Sequence, residues 1–280
     1  VIDRRATSKF DKPWALSALP PLPAIALKVM ELVSKEDVDL REISRTIQSD
    51  PAFAAELLRV ANSARFATVE PVMSVHHATV SLGTDFVKAL SITVALRAYM
   101  KNALKIPALR RCWRHSLACA LLSEELALAC GLKAENIYTA GLLHDVGRIG
   151  LLSAYPTEYS NVLGVSAEFA LDVLKCERDL FDVDHCEAGA WLAHEWMLPE
   201  ELSSVVEHHH EEPPEGTGCL SLVSLGCRFA DSFDYTVLPT HNTWSFDQIR
   251  AHLPQHVQER YNPDLEEVRD RVAQRLESLM

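Results

Sequence analysis

The stretch SDPAFAAELLRVANSA, residues 49–64, sets the reading of the whole chain. Asp50 stands where a helix N-cap accepts backbone N–H groups, and Pro51 takes the first helical position, where a missing N–H costs nothing. Behind them Phe53, Leu57, Leu58 and Val60 recur at helical spacing, so one face is apolar and suited to burial. Asn62 then ends the helix or packs as a polar group.

The same pattern extends in both directions. Upstream, Pro20, Pro21 and Pro23 lead into a segment in which Ile25, Leu27, Val29, Met30, Leu32 and Val33 crowd toward one side. Asp39 can cap a short helix through Ile43 and Ile47. Downstream, Ser74 to His77 introduce a helix holding Val80, Leu82, Val87, Leu90, Val94 and Leu96. After a weaker stretch at 101–107 comes a helix with Trp113, Leu117, Leu121, Leu122 and Leu126, closed by Gly131. Further helices are expected at 135–152, 168–174, 185–196, 199–210 and 220–233, and the charged tail 246–280 suits one or two surface helices. Trp113, Trp191 and Trp196 sit at helical spacing and read as core. Period-two runs of β-branched residues, internal repeats and low-complexity segments are all absent from the sequence. The fold class is therefore all-α.

Composition sets the outer limits. The chain has 280 residues, 48% of them hydrophobic and 24% charged, the balance of a globular protein able to bury a sizeable core. Every long apolar run carries Ser, Thr or His, so no membrane span is expected. The N-terminal VIDRRATSKFDKPW lacks the apolar core of a signal peptide and reads as a tail or a linker of a longer polypeptide. A formal charge of −12 repels phosphate backbones and argues against general nucleic-acid binding, the one basic cluster being Arg110, Arg111 and Arg114. Seven cysteines without a CxxC fit reduced, buried thiols in a cytoplasmic protein.

The chemistry centres on His144-Asp145 in GLLHDVGRIG, residues 141–150. Adjacent helical residues point about 100° apart, so an ion off the helix wall can take an imidazole nitrogen and a carboxylate oxygen together. Such a pair alone is common. The set it belongs to is not: His115 lies one helix earlier, His185 one later, His209 and His210 at a helix end, and Asp231 on the next helix. Imidazole with carboxylate suits divalent Fe, Mn or Zn. His115, His144, Asp145 and Asp231 would make one position, and His185, His209 and His210 a second, with Asp145 as bridge. His208 leaves the register of the histidine pair ambiguous, and Glu211 following the pair favours His209 and His210. His76 and His77 read as exposed residues at a helix start.

The order His, HD, His, HH, Asp resembles the HD-type metal-dependent phosphohydrolase superfamily and its HD-GYP branch. LPPLPAIALKVMELV at 19–33, ISRTIQSDPAFAAELLRVANSARF at 43–66, VHHATVSLGTDFVKALSI at 75–92 and FDVDHCEAGAWLAHEWMLPEELSSVVEHHHEEPP at 181–214 resemble, more narrowly, the HDOD domain. This likeness runs from about residue 16 to 235. It implies an N-terminal helical part over 16–105, an HD-like helical bundle over 106–235 and a C-terminal extension over 236–280. It further implies signal transduction through contacts with other signalling proteins or domains, and ligand positions at His115, His144, Asp145, His185, His209, His210 and Asp231. Three departures from the HD-GYP pattern stand out. Arg111 replaces the acidic residue one turn before the first histidine, which argues against a third metal. Arg148 replaces the lysine after HD, keeping charge but not geometry. HHEEPPEGTG lacks the GYP loop, which argues against cyclic di-GMP.

Two functions are thus expected to compete. One is a regulatory module with a retained divalent-metal site for Fe or Mn, dinuclear where Asp145 bridges two ions. The other is a metal-dependent phosphohydrolase or phosphodiesterase on a nucleotide or cyclic nucleotide, with Asp145 and Arg148 as catalytic groups and Arg148 as phosphate clamp.

Overall fold

Asp50 accepts from the backbone N–H groups of Ala52 and Phe53, both at 3.0 Å, and with Pro51 at the first position it starts a helix as the sequence predicts. That helix is one of sixteen α-helices that a computed structural model describes over residues 12–19, 22, 24–33, 39–62, 71–100, 103–239 and 243–280, with no strand among them. The first five are α1 (Ala24–Val33), α2 (Leu40–Gln48), α3 (Pro51–Ala61), α4 (Val75–Leu82) and α5 (Thr84–Met100). Asp39 caps α2 and Ser74 caps α4 through the N–H of His77. Gly83, at φ 88°, breaks what the sequence reads as one helix into α4 and α5. Asn62 proves to be a clamp: its amide donates to the Leu58 and Val72 carbonyls and its oxygen accepts from Val72 N–H at 2.7 Å. Pro20, Pro21, Pro23 and residues 1–11 lie outside the described residues.

The second half is organised around α6 (Pro107–Ala129), whose buried residues run from Ala108 to Ala127. It packs against α7 (Glu135–Leu143), α8 (Val146–Ala154) and, beyond α9 (Pro156–Phe169), α10 (Val173–Phe181), α11 (His185–Glu195) and α12 (Glu200–His208), against α13 (Cys219–Ser232). Contact between α6 and α13 is backbone-close, because a Cβ on Gly226 would lie 2.9 Å from the Ser123 nitrogen. The helix expected at 168–174 is absent. α9 instead ends at Phe169, Ala170 turns left-handed at φ 51°, and Asp172 caps α10. No glycine marks that stop, which is why the periodicity hides it.

The C-terminal segment holds α14 (Phe246–Ala251), α15 (Gln255–Gln258) and α16 (Leu265–Leu279). α16 packs on α6, burying Val268, Val272, Leu276 and Leu279. Each such side chain contributes about 1.5–3 kcal/mol, whereas the Arg271–Glu125 surface pair adds at most about 1 kcal/mol, so the apolar stripe holds this helix in place. One continuous apolar core joins both halves, and α5 is tied to α7 by the buried Thr93–Tyr138 hydroxyl contact at 3.1 Å. No helix among the described residues is long and apolar enough to cross a membrane, and all seven cysteines are free.

Candidate metal centre

His144 and Asp145 do not lie inside a helix, as the sequence reading has them, but at the joint between α7 and α8. The cause is local. His144 Nδ1–H donates to the Gly141 carbonyl at 2.6 Å, the acceptor that residue 145 would need to continue the helix. Asp145 turns out at φ −102°, ψ 19°, and both side chains line the same pocket. His209 repeats this device at the end of α12, where its Nδ1–H donates to the Val206 carbonyl at 3.0 Å.

Two further imidazoles are tied the same way. His115, from α6, gives its Nδ1–H to the Tyr235 carbonyl at 2.6 Å. His185, the first residue of α11, gives its Nδ1–H to Glu177 at 2.6 Å. A carbonyl or carboxylate can only accept, so each of these rings carries a proton on Nδ1 and turns Nε2 inward. The Nε2 atoms of His144 and His209 are buried with no hydrogen-bond partner.

Asp145 faces two ways. Its Oδ1 lies 3.4 Å from the Nε2 of both His185 and His209, and its Oδ2 lies 4.0 Å from His144 Nε2. His185 Nε2 also meets His210 Nε2 at 2.9 Å, with His210 exposed at the pocket mouth. Asp231 comes no nearer than 3.8 Å to His115, at Nδ1. His208 lies outside this group and pairs with Glu211 at 2.9 Å. Among the described residues three sets could hold a metal ion: His144, Asp145 and His209; His185, Cys186, His209 and His210; and His115, His144 and Cys227.

Burial works against charge here, and fixed partners decide the outcome. Burial raises the Asp145 carboxyl, but Arg148, His209, His144 and His185 outweigh it and hold the carboxyl below its usual range. Burial lowers His209 to about 4, with His144 and His185 adding repulsion that Asp145 only partly offsets. His144 goes the other way, to about 9, because Cys227 and Asp145 overcome burial; an arriving cation would displace that proton. Arg148 is held entirely within the protein. Its Nε donates to Asp145 at 2.9 Å, and its other nitrogens reach Glu177, Tyr159 and His210, each at 3.4 Å.

The sequence reading missed Glu177 and Cys227. Glu177 is fully buried on α10, where it holds the N–H and Nδ1–H of His185 and accepts from Tyr159. Against burial, His185 and Arg148 hold its carboxyl at about 2. Nothing in KCERDLF distinguishes it from a surface acid. Cys227 was detectable, because it lies four residues before Asp231 and so on the same face of α13. Glu177→Gln keeps the shape but loses the charge that orients His185. Affinity for a divalent ion should fall about 10–100-fold, measured by competition with a chromophoric chelator. An unchanged affinity would mean that His185 needs no orienting partner.

The arrangement of helices is shared with known structures. An HDOD domain protein of unknown function from Geobacter sulfurreducens superposes with a TM-score of 0.71 over 91% of this chain and 92% of its own, at 24% identity. A provisionally assigned phosphohydrolase from Shewanella amazonensis SB2B gives a TM-score of 0.70 over 95% and 97% of the two chains, at 22% identity. At such identities the likeness is one of fold. A curated, uncharacterized protein of Treponema pallidum (strain Nichols) is 28% identical over 197 residues, 70% of this chain but only 38% of the length of that relative. The sequence profile of the HDOD domain matches residues 19–212, from the lead into α1 to just beyond the histidine run, and on a match extending over most of its length this chain belongs to the HDOD family.

Proposed function

We propose that this chain is a regulatory HDOD module, acting through contacts with other signalling proteins or domains, with a divalent ion held at its centre. The observation that carries this reading is the size of the pocket. Its volume is about 140 Å³, with Val173, Val237 and Leu238 lining it beside the polar groups. Pockets that take small organic ligands usually enclose about 300–1,000 Å³, so this one suits an ion and its waters rather than a nucleotide.

The donor set fits an ion. Metal–oxygen and metal–imidazole bonds near 2.1 Å put neighbouring donors about 3.0 Å apart in an octahedron and about 3.4 Å in a tetrahedron, and Asp145 Oδ1 stands 3.4 Å from both His185 and His209. The unpartnered Nε2 atoms of His144 and His209 point to the same chemistry. Asp145 would bridge, with His185, His209 and His210 on one side and His144 and His115 on the other; Asp231 would act from farther out. Iron or manganese suits imidazole with carboxylate. When bound, such an ion lowers the pKa of its water toward neutrality. Arg148 in this reading is a positioning residue, since its guanidinium braces Asp145 and Glu177 and is not free to clamp a phosphate. Residues 16–105 and 106–235 form the two parts of the module, and 236–280 an extension that buttresses α6.

The competing reading, a phosphohydrolase, is favoured by the number of donors brought together. Metal analysis of protein purified without chelators should return near-stoichiometric iron or manganese. The loaded protein should leave bis(p-nitrophenyl) phosphate and cyclic nucleotides intact. Turnover that disappears in Asp145→Asn would replace the module with an enzyme. Protein that refuses added iron, manganese and zinc alike would leave the donor array as a relic.

A further inference from the structure

α13 offers His115 two donors, and the structure separates them. Asp231 approaches the wrong nitrogen: its Oδ1 is 3.8 Å from Nδ1, whose proton is already given to Tyr235. Cys227, one turn earlier on the same helix, places its Sγ 3.5 Å from Nε2, the nitrogen that faces inward. Donor atoms of Cys227, His115 and His144 all lie within 4.8 Å of one another. A tetrahedral ion with a thiolate bond near 2.3 Å and an imidazole bond near 2.05 Å has a sulfur–nitrogen edge of about 3.6 Å. The observed separation already matches that edge, without any side-chain movement.

We propose that Cys227 completes the donor group of His115 and His144 in place of Asp231, so that this half of the centre takes a thiolate-accepting ion, zinc or iron, in preference to manganese. The inference rests on the metal centre proposed above and names its sulfur ligand. Sulfur is a soft donor, and manganese favours oxygen. Binding exchanges the thiol proton for the ion: the S–H bond breaks, an S–metal bond forms, the proton leaves to solvent, and nothing is oxidised or reduced. The position of Gly226 supports the role. Its backbone lies against Ser123 on α6, the helix that also carries His115, so α13 approaches α6 closely one residue before Cys227.

Cobalt(II) is the probe, because a cobalt–thiolate bond adds a near-ultraviolet charge-transfer band that imidazole and carboxylate do not. The full chain titrated with cobalt(II) should show that band beside the visible transitions. Cys227→Ser should lose the band, keep bound cobalt, and lose about tenfold or more of the preference for zinc over manganese. Asp231→Asn and Cys119→Ser should keep the band, the latter controlling for the buried Cys119 thiol on α6 that neighbours Cys227. Cobalt bound without the band would overturn the inference and leave a nitrogen–oxygen centre standing, with the Cys227 thiol a hydrogen-bond donor to His115. A band kept in Cys227→Ser and lost in Cys186→Ser would move the sulfur ligand to the other donor group, again overturning it. No cobalt uptake at all would remove the centre itself and the inference with it.

Discussion

Gly147→Ala should be among the most damaging single substitutions in this protein. A Cβ at 147 would sit 1.9 Å from the His185 carbonyl oxygen and 2.6 Å from the Gly189 nitrogen. Both are backbone atoms, so no rotamer change relieves the clash and α8 must move off α11. Overpacking by a side chain typically costs 1–3 kcal/mol, and a backbone-on-backbone collision belongs at or above the top of that range, about 3 kcal/mol. The displaced segment runs directly from Asp145 to Arg148, so the pocket should loosen along with the fold. Urea titration followed by circular dichroism checks this. A midpoint matching the unmodified protein would mean that α8 and α11 stand farther apart than described.

Asp145→Ala should damage both stability and ion binding. Stability falls because Arg148, buried and donating to Asp145, loses its nearest anion; breaking a buried pair by removing one partner costs about 3–5 kcal/mol. Glu177, 3.4 Å away, keeps the loss toward the lower end. Ion binding falls because three imidazoles lose the carboxylate they surround. Asp145→Asn separates the two effects, since its amide oxygen still accepts from Arg148 while the charge is gone. The expected order in denaturation is wild type, then Asn, then Ala, with both variants at background metal content. An alanine variant that retained its metal would exclude Asp145 as a ligand.

The start of a helix was easier to read from the sequence than its end. Asp39 and Asp50 cap helices where the sequence places them, because a short polar side chain before an apolar run has few other uses, and Ser74 caps the helix that the sequence has it introduce. Ends failed where an ordinary residue did the work of glycine. Ala170 takes the left-handed turn after α9, and the imidazole of His144 stops α7 by occupying a backbone carbonyl. Neither leaves a signature in periodicity.

The imidazoles and carboxylates that the fold brings together were legible as a set, since several histidines and two aspartates on successive helices are unusual in combination. Their partition was not. Which nitrogen of His115 faces inward is decided by the Tyr235 carbonyl, 120 residues away along the chain. Glu177 was illegible for a related reason: its burial depends on α10 packing against α9 and on the contact with His185, and its own neighbours Lys175, Arg178 and Asp179 are those of a solvent-facing helix.

The four imidazoles fixed through Nδ1 have a kinetic consequence. Each ring has lost its rotation and its choice of tautomer on folding, before any ion arrives. Capture therefore needs no search among side-chain conformations. Its speed would follow how fast the incoming ion sheds its own waters and how readily the narrow pocket admits it, while escape would require several fixed contacts to open together. At the proposed centre an ion would therefore enter quickly and leave slowly, and occupancy would record past exposure to the ion rather than the concentration of the moment.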